Sequence, residues 1–220
     1  MSAVLTLPDG ESIVDLATFV GRARTLDADG AIRLQAVGEV LAAWVCVLPG
    51  QGILRSGLVL GLRTMRLAGE HHLDVTVPLG SLTDRFARRA STGDPGTALP
   101  VPPGEVAPPW AAVSPPRSGW EPVGKASVAA LEQAAREGIA EVAQGAPEGS
   151  GAAAVAALRH RVWSRPVDED GTAGSVPSGT ALAIHALGFA TGAAGGTATV
   201  HRAGPWLRLS LPAGYVLART

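Results

Sequence analysis

His71, His72 and Asp74 are the densest set of metal-capable side chains in the sequence, crowded at the start of a strand-like run. Alternation along a strand sends His72 and Asp74 to one side and His71 to the other, so two ligands converge at most, short of the set a zinc site needs. The spacings HxH, HxxxH and HExxH occur nowhere. We expect no metal site and no cofactor. Nucleophilic chemistry finds equally little support. Cys46 lies in the apolar run 40–48, where a thiol behaves as a small hydrophobe, and no serine sits in a G-x-S-x-G elbow. Ser178-Gly179-Thr180 could offer backbone N–H groups to an anion, but helix capping explains it more simply. Gly50-Gln51-Gly52 with Gly57 fails the dinucleotide spacing because Arg55 stands where a glycine is needed, and the glycines of 188–196 lack the lysine of a phosphate loop. Both read as turns.

The richest constellation lies between 197 and 218. Alternation there places Thr199, His201, Trp206, Arg208 and Tyr215 on one face and Val200, Leu207, Leu209 and Val216 on the other. Aromatic and basic groups on one open sheet face can stack bases or grip a protein. Three helices before a hairpin also suggest a winged-helix reader, yet the third helix carries no Arg or Lys and its one titratable group is His185. Nucleic acid is therefore disfavoured, and packing against the rest of the chain is the plainer account of this face. Arg159, His160, Arg161 and Arg165 form the densest basic cluster. Helical angles spread the first three around the axis, and the acidic run Asp168-Glu169-Asp170 follows directly, so the cluster reads as a solvated helix end.

These residues must be positioned by a chain of 220 residues, 46% hydrophobic and 17% charged, which is enough apolar material for a real core and too little charge for a disordered chain. Eighteen basic against nineteen acidic residues leave a net charge of −1, so no global field favours nucleic acid, anionic lipid or an acidic substrate. Lys125 is the sole lysine, which fits the Ala, Gly and Arg bias of a GC-rich genome. One cysteine, no signal-like N-terminus and no apolar run of membrane length point to the cytoplasm.

Nine of the seventeen prolines fall between Thr92 and Val123, a density that excludes helix and central strand. The same stretch carries Trp110 and Trp120, which a free linker would not, so we expect an ordered strap pinned by its indoles. The expected fold class is α+β, with two helix-plus-antiparallel-sheet halves: 1–92 as βαββββα, a strap over 93–123, and 124–220 as three helices followed by a three-stranded meander. Within the first half, a helix capped by Asp9 or Ser12 and running to about Arg24 buries Ile13, Leu16, Ala17, Val20 and Ala23. Gly38-Glu39 suits a two-residue type II′ turn, which would make 31–37 and 40–48 a hairpin with Arg33 stacked on Trp44. Further strands are expected over 58–67 and 73–77, then a short helix capped at Ser81. In the second half, helices are expected over 126–142, 152–163 and from 178 on.

The segment Pro109-Trp110-Ala111-Ala112-Val113-Ser114-Pro115-Pro116-Arg117-Ser118-Gly119-Trp120-Glu121-Pro122 resembles a conserved, uncharacterised protein family of high-GC Gram-positive bacteria. The resemblance implies a lineage and no activity. The functional expectation is a non-enzymatic binding or regulatory protein, its partner another protein or a second copy. Trp110, Arg117, Trp120, His201, Trp206, Arg208 and Tyr215 are its candidate contact residues. The alternatives are an enzyme or small-molecule binder with a site between the halves, where Arg117, Arg63 and His72 would meet, and the winged-helix nucleic-acid binder.

Overall fold

The computed structural model describes residues 3–145, 151–167, 176–193 and 195–220, which leaves the acidic run Asp168-Glu169-Asp170 outside the described residues. The fold is α+β, with antiparallel strands, and the chain divides into two compact units. Unit 1 comprises Met1–Cys46 and Leu62–Ser114; unit 2 comprises Val47–Gly61 and Pro115–Thr220.

In unit 1, strand β1 (Val4–Thr6) pairs antiparallel with β4 (Ala98–Pro100), Leu5 lying opposite Leu99. Helix α1 (Gly10–Leu26) starts where the Asp9 carboxylate accepts the Ser12 N–H at 2.7 Å, a bond that also holds the Asp9 carboxyl below its ordinary pKa. It buries Ile13, Leu16, Phe19, Val20 and Ala23. Helix α2 (Leu79–Thr92) packs on α1. It begins after Pro78 and not at Ser81, because Pro78 itself fixes the entry and Leu79 N–H is tied to the Gly30 carbonyl at 2.9 Å. Its end is set by Gly93 in the left-handed region at φ 62°.

The expected hairpin at Gly38-Glu39 is absent. Ala31–Gln51 is one continuous strand, β2, and Ser56–Pro78 is another, β3, where two separate strands were expected. Along β2 the buried residues are Ile32, Leu34 and Ala36, then Leu41, Ala43, Val45 and Val47, so the alternation changes phase between them. Gly38 at φ 60° marks that shift, the signature of a bulge in place of a turn. Arg33 consequently does not stack on Trp44. It forks onto Asp74 of β3 through Nε at 2.7 Å and Nη2 at 2.8 Å, while Gln35 adds a bond to the same carboxylate at 2.9 Å. The actual turn between β2 and β3 is at 52–55, in unit 2.

The proline-rich stretch contains more structure than its composition suggested. Val101 N–H bonds to Ala3 O and Val106 N–H to Thr76 O, Pro109–Ala112 forms a 3-10 turn with Trp110 buried, and Arg33 Nη1 donates to Ala111 O at 2.9 Å and to Ser114 Oγ at 3.2 Å. Glu121–Ser127 is a further strand, β5, where a strap end and a helix start were expected. Pro122 is tolerated because β5 is the edge of its sheet, and the register shifts between Pro122 and Gly124.

Unit 2 holds α3 (Val128–Gly145), α4 (Ala152–Trp163) and α5 (Ser178–Ala186) beside the meander β6 (Thr197–Ala203), β7 (Trp206–Leu211) and β8 (Gly214–Arg219). The sheet order is β2-β3-β8-β7-β6-β5. Helix α5 is the centre of this core: every residue from Ser178 to Ile184 is buried. Gly179 permits its close approach, since a Cβ there would lie 2.7 Å from Leu48 Cδ1 and 3.2 Å from Val59 Cγ2. A helix enclosed on all faces has none left to read a groove, which removes the winged-helix reading.

Candidate functional site

The meander register brings most of the sequence-predicted residues of unit 2 onto one face. His201 lies opposite Arg208, which lies opposite Leu217; Ser210 faces Tyr215, and Trp206 faces Arg219. The other face, with Ala198, Val200, Leu207, Leu209 and Val216, is fully buried. Alternating apolar and mixed positions fold this way because only one side of the sheet meets the core.

On the mixed face Arg208 is the hub. Its guanidinium carbon is 4.7 Å from the centroid of the Trp120 ring and 5.9 Å from that of Tyr215, two cation–π contacts on one cation. Trp120 is held for this contact by its indole N–H, which donates to the Pro116 carbonyl at 2.9 Å. Arg219 covers Trp206 in the same manner at 5.9 Å, and Trp206 is only 4% exposed. Arg219 was missed in the sequence, although alternation from Tyr215 would have placed it here. The Nδ1 of His201 and the Nε of Arg208 are shielded from water and have no hydrogen-bond partner. Burial, followed by the positive charge of Arg208, pushes the His201 pKa below its ordinary value, so His201 is neutral near pH 7.

Two candidates stand apart. Trp110 is 7% exposed within unit 1, and Arg117 is exposed. Arg63 is engaged by Asp15 of α1 at 2.6 Å, and His72 is exposed. Ser178 Oγ donates to Val162 O and Thr180 Oγ1 to Pro177 O, each at 2.7 Å, which leaves no hydroxyl for an anion at the start of α5. His71 Nε2 accepts the Thr6 N–H at 3.4 Å, and among the described residues no three His, Cys, Asp or Glu side chains gather to hold a metal ion. No described helix is long and apolar enough to cross a membrane.

The model of a domain of unknown function, DUF8010, matches residues 1–110, half of the chain. The chain belongs to the DUF8010 family. A second domain of unknown function, DUF8185, matches residues 115–220. No curated protein matches the sequence. Among solved structures the chain is similar to DNA polymerase sliding clamps. Against the pol III beta of Caulobacter crescentus the TM-score is 0.53 at 13% identity, covering 99% of this chain and 65% of that one. A putative DNA polymerase III beta subunit from Eubacterium rectale gives 0.58 at 8% identity, and the DnaN sliding clamp of Bartonella birtlesii, solved bound to griselimycin, 0.56 at 10%; each comparison covers 98% of this chain and 64% of the clamp. The likeness is one of fold, and this DUF8010 member spans less than two thirds of the clamps' length.

Proposed function

We propose that the protein is a non-enzymatic binding protein of the bacterial cytoplasm, from a high-GC Gram-positive lineage, that engages a protein partner or a second copy of itself. The observation that carries the reading is the Arg208 hub: an arginine between two aromatic rings on the mixed face of a sheet, with Arg219 on Trp206 beside it. Aromatic and arginine side chains are the residue types that dominate protein contact surfaces. The fold likeness to sliding clamps supports a binding scaffold. Its catalytic alternative has no nucleophile, base and orienting group in one place on this face.

The same likeness withdraws support from the expectation against nucleic acid, since the similar structures are DNA polymerase clamps. Electrostatics favours the protein reading nonetheless. Arg33, Arg63, Arg66, Arg89, Arg136 and Arg165, six of the eighteen basic residues, each sit in an ion pair with a carboxylate.

The test is affinity capture from the native host, followed by reconstitution with the purified captured protein. Wild-type protein should bind and Arg208→Ala should bind at least about tenfold more weakly, the loss of one hot-spot side chain. Turnover of any substrate that His201→Ala abolishes, or sub-micromolar duplex DNA binding at physiological salt, would overturn the reading.

A further inference from the structure

The turn joining β2 to β3 presents two large aliphatic side chains to water. Ile53 is 98% exposed and Leu54 67%. Turn tips ordinarily carry Gly, Asn, Asp or Ser, and isolated exposed apolar residues are common, but here two are adjacent. The tip is also built to a fixed shape. Gly50 has φ 67°, and a Cβ on it would meet the Arg55 carbonyl oxygen at 2.6 Å. Arg55 itself is held in the left-handed region at φ 53°, with Arg55 N–H bonded to Gly52 O and Leu58 N–H to Arg55 O. A non-glycine residue kept there indicates a turn whose form is over-determined by its surroundings.

A cavity of about 280 Å³ opens beside the strands that carry this tip. Leu48, Pro49, Ala156 and Trp163 supply its apolar wall, and Arg159 and His160 of α4 its polar edge. That volume lies just under the ~300 to 1,000 Å³ usual for small-molecule and cofactor sites and suits an inserted side chain. Within the described tip and α4 themselves the fixed charges are of one sign: residues 47–61 contain Arg55 and no acid, and α4 contains Arg159 and Arg161 and no acid. Arg161 acts on Glu141 and belongs to a different face.

We infer that the β2–β3 tip and the adjoining face of α4 dock an acidic, amphipathic peptide segment of a partner protein, Ile53, Leu54 and the cavity receiving its apolar residues and Arg159 its carboxylates. Nucleic acid fits less well, because Trp163 is only 5% exposed and cannot stack a base, while two aliphatic side chains offer a phosphate nothing. The inference rests on the reading of the chain as a binding protein but uses none of the Arg208 face.

Fluorescence anisotropy on the full chain tests it, with a short labelled peptide of Leu, Phe, Asp and Glu and a companion in which Lys replaces each acid. The acidic peptide should bind and the lysine peptide should not. Ile53→Ser combined with Leu54→Ser, and separately Arg159→Glu, should each weaken binding by about tenfold or more, the range of a lost anchor. These positions are exposed, and equal melting temperatures will show that the variants fold. Equal binding of both peptides, no binding, or unchanged affinity in the variants would overturn the inference. So would a wild-type dimer in light scattering that the double serine variant converts to monomer, or duplex DNA binding that Arg159→Glu alone abolishes. Failure of the peptide while Arg208-dependent capture persists removes this docking surface and leaves the binding reading intact.

Discussion

His201 carries a sign that can be tested. Its neutral form is favoured in the fold by burial and by Arg208 across the β6–β7 ladder, with Pro122 as its uncharged neighbour on β5. A histidine whose folded pKa lies below its unfolded 6.5 contributes stability that is full above that value and is lost as pH falls through the folded pKa. The melting temperature of wild type should therefore drop more between about pH 7 and about pH 5 than that of His201→Gln, which has no proton to gain. Parallel curves would remove the argument. A second residue-scale expectation concerns Gly138 of α3, where a Cβ would stand 2.5 Å from Trp163 Cζ3, inside the rigid ring of a buried indole. Gly138→Ala should cost about 1 to 3 kcal/mol in urea unfolding, the usual range for overpacking. Nothing in the sequence around Gly138 signals this, because the demand comes from a side chain 25 residues away; on the mixed face of the meander, by contrast, strand period placed His201, Trp206, Arg208 and Tyr215 together, though Arg219 was missed.

The meander, α1 and α4 were readable as elements because periodicity and local punctuation agreed there. The long hairpin was not, and the reason is specific. A two-residue turn and a one-residue bulge both reverse the phase of an alternating strand, so Ile32, Leu34 and Ala36 followed by Leu41, Ala43 and Val45 is the same pattern under either geometry. Only the partner strand decides, and β3 is long enough to pair past Gly38. The strap was obscured in the opposite sense: its prolines exclude central strands but allow an edge such as β5. Among its anchors in unit 1 is Arg33, which is held above its ordinary pKa by Asp74 and donates through Nη1 to Ala111 O and Ser114 Oγ. Arg33→Ala should therefore admit protease between 104 and 114 at low enzyme ratios that leave wild type whole. Equal cutting of both would mean that the buried Trp110 and the backbone bonds of Val101 and Val106 hold the strap without Arg33.

At the scale of the molecule, the two matched domains abut between 110 and 115 and the compact units divide there too, but Val47–Gly61, within the first matched domain, belongs to unit 2. Val47, Leu58, Val59 and Leu60 are buried, and β3 is the neighbour of β8. A fragment of residues 115–220 lacks these residues and leaves a β8 edge unpaired. It should show no cooperative melt by circular dichroism, whereas the full chain should. A sharp transition in the fragment would show that the tip is an addition to a complete core.

The same interleaving bears on synthesis by the ribosome. Residues 47–61 emerge roughly 150 residues before β8, Gly214–Arg219, which is to lie beside them. At ~5 to 20 residues per second, the buried strand of the tip waits on the order of ten seconds for its partner. Unit 2 therefore closes only after β8 has left the exit tunnel, and for that interval an aliphatic hairpin with an open edge offers a chaperone a surface to bind.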